Sequence, residues 1–306
     1  MTIEARSTPV CIIPSGETEG RNIGIFAGRI GEVKDMYQAK NGTVNIGGSP
    51  MEYIRFGTGK KNLVMLPGLG DSLRSVKGTA LPIALMYRMY AKDFTVYMFS
   101  RKQNLPQGAD TRDMAQDLAQ AMDLLGIAKA DVIGVSMGGM IAQHFAVDYP
   151  EKVGKLILTV TSSRPNPVLV ESVEEWIQLA KRGDHVAFMD SNVRRIYSEA
   201  YYRRNKWLVP VVGKLTKPKS YDRFYIQANA CLTHDAYVQL EKIQAPTLVI
   251  GGEKDACLGG GASREIAEKI SGAHLLMYEN QGHGLYEEAK DFNQQVFDFL
   301  KDPLCE

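Results

Sequence analysis

Five residues, Gly134-Val135-Ser136-Met137-Gly138, constrain the fold of this chain more than any other stretch. They follow the apolar run Ala130-Asp131-Val132-Ile133 and open the apolar, helix-compatible segment from Met140 to Val147. A strand that turns this sharply into a helix strains the corner residue and lifts its side chain clear of the backbone. Glycines two before and two after the corner let strand and helix approach without a Cβ clash. A serine there lies beside the positive end of a helix, where a neighbouring imidazole can take its proton. The pattern occurs once in the chain, which makes Ser136 the candidate nucleophile.

Around this corner short β-rich runs alternate with longer helix-patterned ones. The strand candidates are Tyr53–Phe56, Leu63–Leu66, Phe94–Phe99, Asp131–Val135, Leu156–Val160, Thr247–Ile250 and His274–Tyr278. Near-continuous apolar runs such as Leu156-Ile157-Leu158 suit strands covered on both faces, hence a mostly parallel sheet. Helices are expected at about 74–90, 110–125, 137–149, 262–271 and 287–300. The second of these carries Met114, Leu118, Met122 and Leu125 at helical spacing, with Gly126 as its stop. The alternation predicts an α/β fold with a doubly wound sheet and ligands at the carboxyl ends of its strands. Residues 166–237 break the rhythm: they are helical without a clear strand and read as an inserted helical cap between core segments 41–165 and 238–306. Residues 1–40 fit neither pattern; their glycines suggest turns or short edge strands.

Composition excludes several function classes. A formal charge of +1 over 306 residues gives no overall pull toward nucleic acid or membrane. No apolar run approaches the roughly 20 residues that span a bilayer, and the polar start, Met1 to Val10, is not a secretory signal. Four cysteines lie far apart without metal-binding spacing, which points to a reducing cytoplasm. One local imbalance stands out: nine basic residues between Arg194 and Arg223 face only Glu199 and Asp222, with Tyr197, Tyr201, Tyr202 and Trp207 interleaved. Such a run suits an anionic acyl substrate or a membrane surface, but also a solvated helix face, and the latter is the expectation. No groove-reading or stacking motif accompanies it, so nucleic-acid binding is not expected.

Five motifs occur in a fixed order: Leu66-Pro67-Gly68-Leu69-Gly70 after an early strand, the serine corner at 134–138, and Tyr149-Pro150-Glu151-Lys152-Val153 leading into the next strand. Then Pro246 to Asp255 ends a late strand in an acid, and Gly282-His283-Gly284 precedes the last helix. In this order the chain resembles the α/β-hydrolase superfamily from about Thr43 to Leu300. It is most similar to the capped, esterase-like branch that includes enol-lactonases, cofactor-free haloperoxidases, proline iminopeptidases and C–C bond hydrolases.

A serine nucleophile needs a base. Of the five histidines, His144 falls on the helix after the corner, His185 and His234 in the insertion, and His274 at a strand start. Only His283 falls in a loop after a strand end, flanked by glycines, and imidazole is the side chain suited to accept and return a proton. The acid that orients it is expected at Asp255, in the chain order serine, aspartate, histidine; the rival Glu253 matches the resemblance's preceding turn position. Cys257 reads as a small buried residue. The backbone N–H of Met137 supplies one oxyanion donor, and the resemblance places the other at Leu69. The sequence departs from the common pattern at Pro67, where histidine is usual. The resemblance implies no metal or organic cofactor. It implies a serine-dependent hydrolase of carboxylic esters or related acyl substrates. It leaves open C–C hydrolysis, lactone opening, perhydrolysis or acyl transfer on the same fold, and a non-catalytic small-molecule receptor.

Overall fold

The apolar runs become the strands of a single sheet in the computed structural model, which describes residues 37–303. The strands are β1 (Lys40–Ile46), β2 (Ser49–Phe56), β3 (Lys61–Leu66), β4 (Phe94–Phe99), β5 (Ala130–Val135), β6 (Val153–Thr159), β7 (Thr247–Gly252) and β8 (His274–Tyr278). Their spatial order is β1-β2-β4-β3-β5-β6-β7-β8. β2 runs antiparallel to β1 and β4, and every other pairing is parallel.

Successive strand residues point to opposite faces, and here both faces are buried. Val64, Val132, Leu156 and Val249 join the core on one side. Leu63, Ile133, Ile157 and Ile250, their immediate neighbours in sequence, join the core on the other. The first face is covered by α2 (Thr111–Leu124) and α3 (Met137–Asp148). The second is covered by α1 (Ala80–Met86) and, near the C-terminus, by the helix Phe292–Lys301. Helix α2 shows how local sequence sets an element. Asp110 accepts from the Arg112 and Asp113 amides while the Asp113 side chain accepts from the Asp110 amide. At its far end Ile127 N–H reaches Met122 O at 2.8 Å and Gly126 N–H reaches Asp123 O at 3.0 Å, a closed C-terminal cap.

The structure differs from the sequence reading at the first edge. Strand β1 is polar and largely exposed, so it lacks the apolar run that marks the inner strands. It pairs with β2 through a two-residue turn, Gly47-Gly48, with φ of 57° and 83°, which the twist of a tight hairpin requires. The helix expected at about 74–90 is shorter, Ala80–Met86 followed by a 3₁₀ turn at Arg88–Tyr90, because Gly78 at φ 80° breaks the backbone path before it. Of the stretch 1–40, residues 1–36 lie outside the described residues.

Between β6 and β7 the chain forms five helices: α4 (Pro167–Lys181), α5 (His185–Ile196), α6 (Glu199–Asn205), α7 (Val209–Thr216) and α8 (Asp222–Thr233). Trp176, Phe188 and Phe224 anchor this insertion to the first core face. After β7 come α9 (Gly261–Lys269) and, following β8, α10 (Leu285–Glu288) and α11 (Phe292–Lys301). The last two replace the single helix expected at 287–300, since Ala289 takes an extended conformation and ends α10.

Candidate active site

Ser136 sits where β5 meets α3, with φ 54° and ψ −121°, a conformation that a non-glycine residue adopts only under constraint. The constraint is visible. Ser136 N–H donates to Thr159 O at 2.9 Å, and Ser136 O accepts from the Thr161 hydroxyl at 2.7 Å and from Gly139 N–H at 2.8 Å. A Cβ on Gly134 would lie 2.6 Å from Gly138 O, and one on Gly138 would collide with Leu66 O. Only glycine allows this corner to close. Val160, the first residue after β6, also has a positive φ of 40°, so two strained residues adjoin at the same sheet end.

The loop after β3 passes directly over this corner: a Cβ on Gly68 would lie 3.3 Å from Ser136 Cβ and 3.8 Å from its Oγ. Leu69 opens the 3₁₀ turn Leu69–Ser72, and Met137 opens α3. The first N–H of a helical turn has no partner within that turn, so neither the Leu69 nor the Met137 amide is used inside its own turn.

After β7, Asp255 is buried and accepts at Oδ1 from Cys257 N–H at 2.8 Å and Leu258 N–H at 2.9 Å. Its Oδ2 lies 2.8 Å from His283 Nδ1, and His283 is buried as well. Burial alone would raise the Asp255 pKa, but the His283 ring and the two amides outweigh it and hold the carboxyl below its ordinary range. Asp255 is therefore an anion at neutral pH, aimed at Nδ1. Glu253 is exposed and ion-paired with Arg264. Burial, then Asp255, raises the Cys257 thiol well above its usual range, so it stays protonated.

Asp255, Cys257 and His283 are the one group among the described residues whose ligand atoms cluster within 4.8 Å. Two ligands of one zinc at about 2.0–2.1 Å stand roughly 3.3 Å apart in a tetrahedron. The 2.8 Å Asp255–His283 contact is a hydrogen bond instead.

The other histidines have separate roles. His274 is exposed at the start of β8. His185 accepts or donates to Tyr221 at 2.7 Å and stacks on Phe188. His234 bonds Thr111 at 2.8 Å and meets His144 edge-on at 5.0 Å, pinning the exit of the insertion to α2 and α3. Burial, with His144 alongside, pushes His234 down to about 3. The unfolded ring takes up its proton near 6.5 and the folded one only near that lower value. The unfolded state thus binds more protons in between, and stability falls as pH drops through this window. Scanning calorimetry across it is expected to show a declining Tm, with a shallower decline in His234→Gln.

Sequence reasoning missed a buried charge cluster beside the loop over Ser136. Asp71 Oδ2 accepts from Arg101 N–H at 3.1 Å and from the Arg223 guanidinium at 2.9 Å. Arg101 donates to Pro67 O at 2.6 Å, and Arg223 also donates to Asp71 O at 2.5 Å and Arg101 O at 2.8 Å. The cluster thus ties α8 of the insertion to Pro67–Asp71. The signal was an arginine two residues after the apolar run Phe94–Phe99, just past a strand's carboxyl end. Asp71→Ala leaves two guanidinium groups without their counter-charge, and urea unfolding is expected to show a loss of about 3–5 kcal/mol.

The insertion grips the other two loops as well. Arg195 donates to Ala256 O at 3.2 Å, and Asn166 to Leu258 O at 2.8 Å, next to Asp255. Gly284 N–H donates to Ile196 O at 2.6 Å, and Ser198 Oγ to Glu288 at 2.6 Å, next to His283. Of the basic run, Arg195 and Arg223 turn inward to make these bridges, whereas Arg194 and Arg203 form exposed ion pairs with Asp190 and Glu199. The outward expectation holds for most of the run: Arg194, Arg203, Arg204, Lys206, Lys214, Lys217 and Lys219 are exposed. The exceptions are Arg195, held by Glu171, Glu175, Ser172 and Ala256 O, and Arg223, held by the buried Asp71. Their hydrogen bonds offset the desolvation of their charges.

A strained serine between β5 and α3, with a hydrogen-bonded Asp–His pair at the same end of a doubly wound sheet, defines a class of hydrolytic enzyme. Residues 61–290 match the family described as the alpha/beta hydrolase fold, and the chain belongs to it. The protein is a hydrolase of that family. It is 26% identical over 201 residues to the putative carbamate hydrolase RutD of Caulobacter segnis, spanning 64% of this chain and 75% of the relative. It is also 26% identical over 264 residues to 2-hydroxy-6-oxononadienedioate/2-hydroxy-6-oxononatrienedioate hydrolase 2 of Pseudomonas putida, spanning 82% and 91%. The enol-lactonase from Burkholderia xenovorans has the same fold, with a TM-score of 0.71, 21% identity, and coverage of 85% of this chain and all of that one (100%).

Proposed function

We propose that the protein is a serine-dependent hydrolase of carboxylic esters or related acyl substrates, working through an acyl-enzyme. The observation that carries this reading is the buried 2.8 Å contact between His283 Nδ1 and Asp255 at the sheet end that holds the strained Ser136. With Nδ1–H donated to the carboxylate, Nε2 keeps its lone pair and serves as the base. Nε2 takes the Ser136 proton as Oγ bonds to the substrate carbonyl, and the Leu69 and Met137 N–H groups receive the oxyanion. The tetrahedral adduct collapses, the bond to the leaving alkoxide breaks, and His283 returns the proton to it. Water then attacks the acyl-enzyme by the same route and frees Ser136. The helices of 166–237 serve as the cap that roofs this site and excludes water. Two buried free thiols, Cys231 and Cys257, support a reducing, cytoplasmic setting.

Steady-state hydrolysis of p-nitrophenyl esters from acetyl to dodecanoyl tests the reading. Turnover that peaks at one chain length supports it and sizes the acyl pocket; no turnover of any member contradicts it. A second reading keeps Ser136, Asp255 and His283 but changes the bond cut, and the Pseudomonas putida relative, matched over 91% of its length, favours it. Assay of the dienedioate in that relative's name, beside the ester series, separates the two.

A further inference from the structure

From Glu199 to Thr216 the chain is helical throughout: α6, a 3₁₀ turn at Lys206–Leu208, then α7. One side of this rod is buried. Tyr202, Val209 and Val212 are covered, Tyr202 donates to Asp190 at 2.8 Å, and a Cβ on Gly213 would lie 3.1 Å from Val186 Cα in α5. A surface helix with one face so packed ordinarily turns polar residues to water. Here the outward side carries Trp207, Val211 and Leu215, which are 69%, 54% and 70% exposed. Spaced four apart, they form one stripe along the rod. Arg203, Arg204, Lys206 and Lys214 are exposed beside it.

Large apolar side chains held in water flanked by cations have a specific chemical complement. A bilayer surface with anionic headgroups meets the cations and accepts the apolar side chains just below them, and tryptophan suits that boundary. We propose that this face of the insertion docks on an anionic lipid surface, with the Trp207 ring at the headgroup level. The proposed contact is made by the side chains of one exposed helical face; no helix among the described residues is long and apolar enough to cross a membrane. It is independent of the hydrolytic reading, since the face uses none of Ser136, Asp255 or His283.

The chain has two tryptophans, and Trp176 is buried, so Trp207 reports the contact. The full chain is titrated with vesicles of pure phosphatidylglycerol or pure phosphatidylcholine, following emission and co-sedimentation. Expected are a blue shift and co-sedimentation with phosphatidylglycerol, loss of both in high salt, and at least tenfold weaker binding to phosphatidylcholine. Val211→Ser/Leu215→Ser is expected to weaken phosphatidylglycerol binding at least about tenfold with Tm unchanged. Trp207→Phe removes the spectral shift but keeps the sedimentation. Absence of phosphatidylglycerol binding at low salt, or equal binding to both lipids, overturns the proposal. So does a blue shift that follows protein concentration without vesicles, which assigns the face to a second copy of the chain.

Discussion

Ser136→Ala is expected to lower kcat for the preferred ester by on the order of 10⁴–10⁶ while the fold survives. The change removes one oxygen from a side chain whose neighbours hold it through its backbone. Its N–H on Thr159 and its carbonyl under the Thr161 hydroxyl stay in place. Circular dichroism and Tm close to those of the parent, together with the lost turnover, place the effect on chemistry. Retention of more than about a tenth of the rate contradicts the assignment of Ser136 as nucleophile.

Asp255→Asn is expected to cost on the order of 10⁴ in kcat. The amide keeps an acceptor for the Cys257 and Leu258 N–H groups, so the loop holds its shape. It turns an N–H toward His283 Nδ1, which forces the proton onto Nε2 and removes the lone pair that Ser136 needs. Glu253→Gln is expected to change kcat less than tenfold, because its partner is the surface residue Arg264. A reversal of these two effects identifies Glu253 as the acid. The lowered Asp255 pKa adds a stability consequence. The folded carboxylate stays charged below the pH at which the unfolded one protonates, so this contribution is present at neutral pH. It is lost as pH falls through the folded value.

Much of this arrangement was legible before any coordinates. The inner strands announce themselves because burial on two faces demands uninterrupted apolar residues, as in Leu156-Ile157-Leu158. The corner at Ser136 is legible because its glycines are dictated by backbone collisions, and collisions leave little choice of residue. Asp255 and His283 followed from strand ends and chain order. The edge strand β1 was not legible, since an edge facing water carries no apolar signature. The charge cluster of Asp71, Arg101 and Arg223 was hidden for another reason: its members are up to 152 positions apart, and only the docking of α8 brings them together. The inward turn of Arg195 and Arg223 was hidden likewise, because composition describes a basic run without saying which members find partners across the fold.

The most direct test of the central claim is to trap the covalent step. The protein is treated with a fluorophosphonate, digested, and the modified peptide located by mass spectrometry. A single adduct on Ser136 in the parent chain, absent from Ser136→Ala and strongly slowed in Asp255→Asn, is the predicted result. An unlabelled Ser136 in folded, ester-hydrolysing protein, or an adduct on another residue that accounts for the lost activity, contradicts the account.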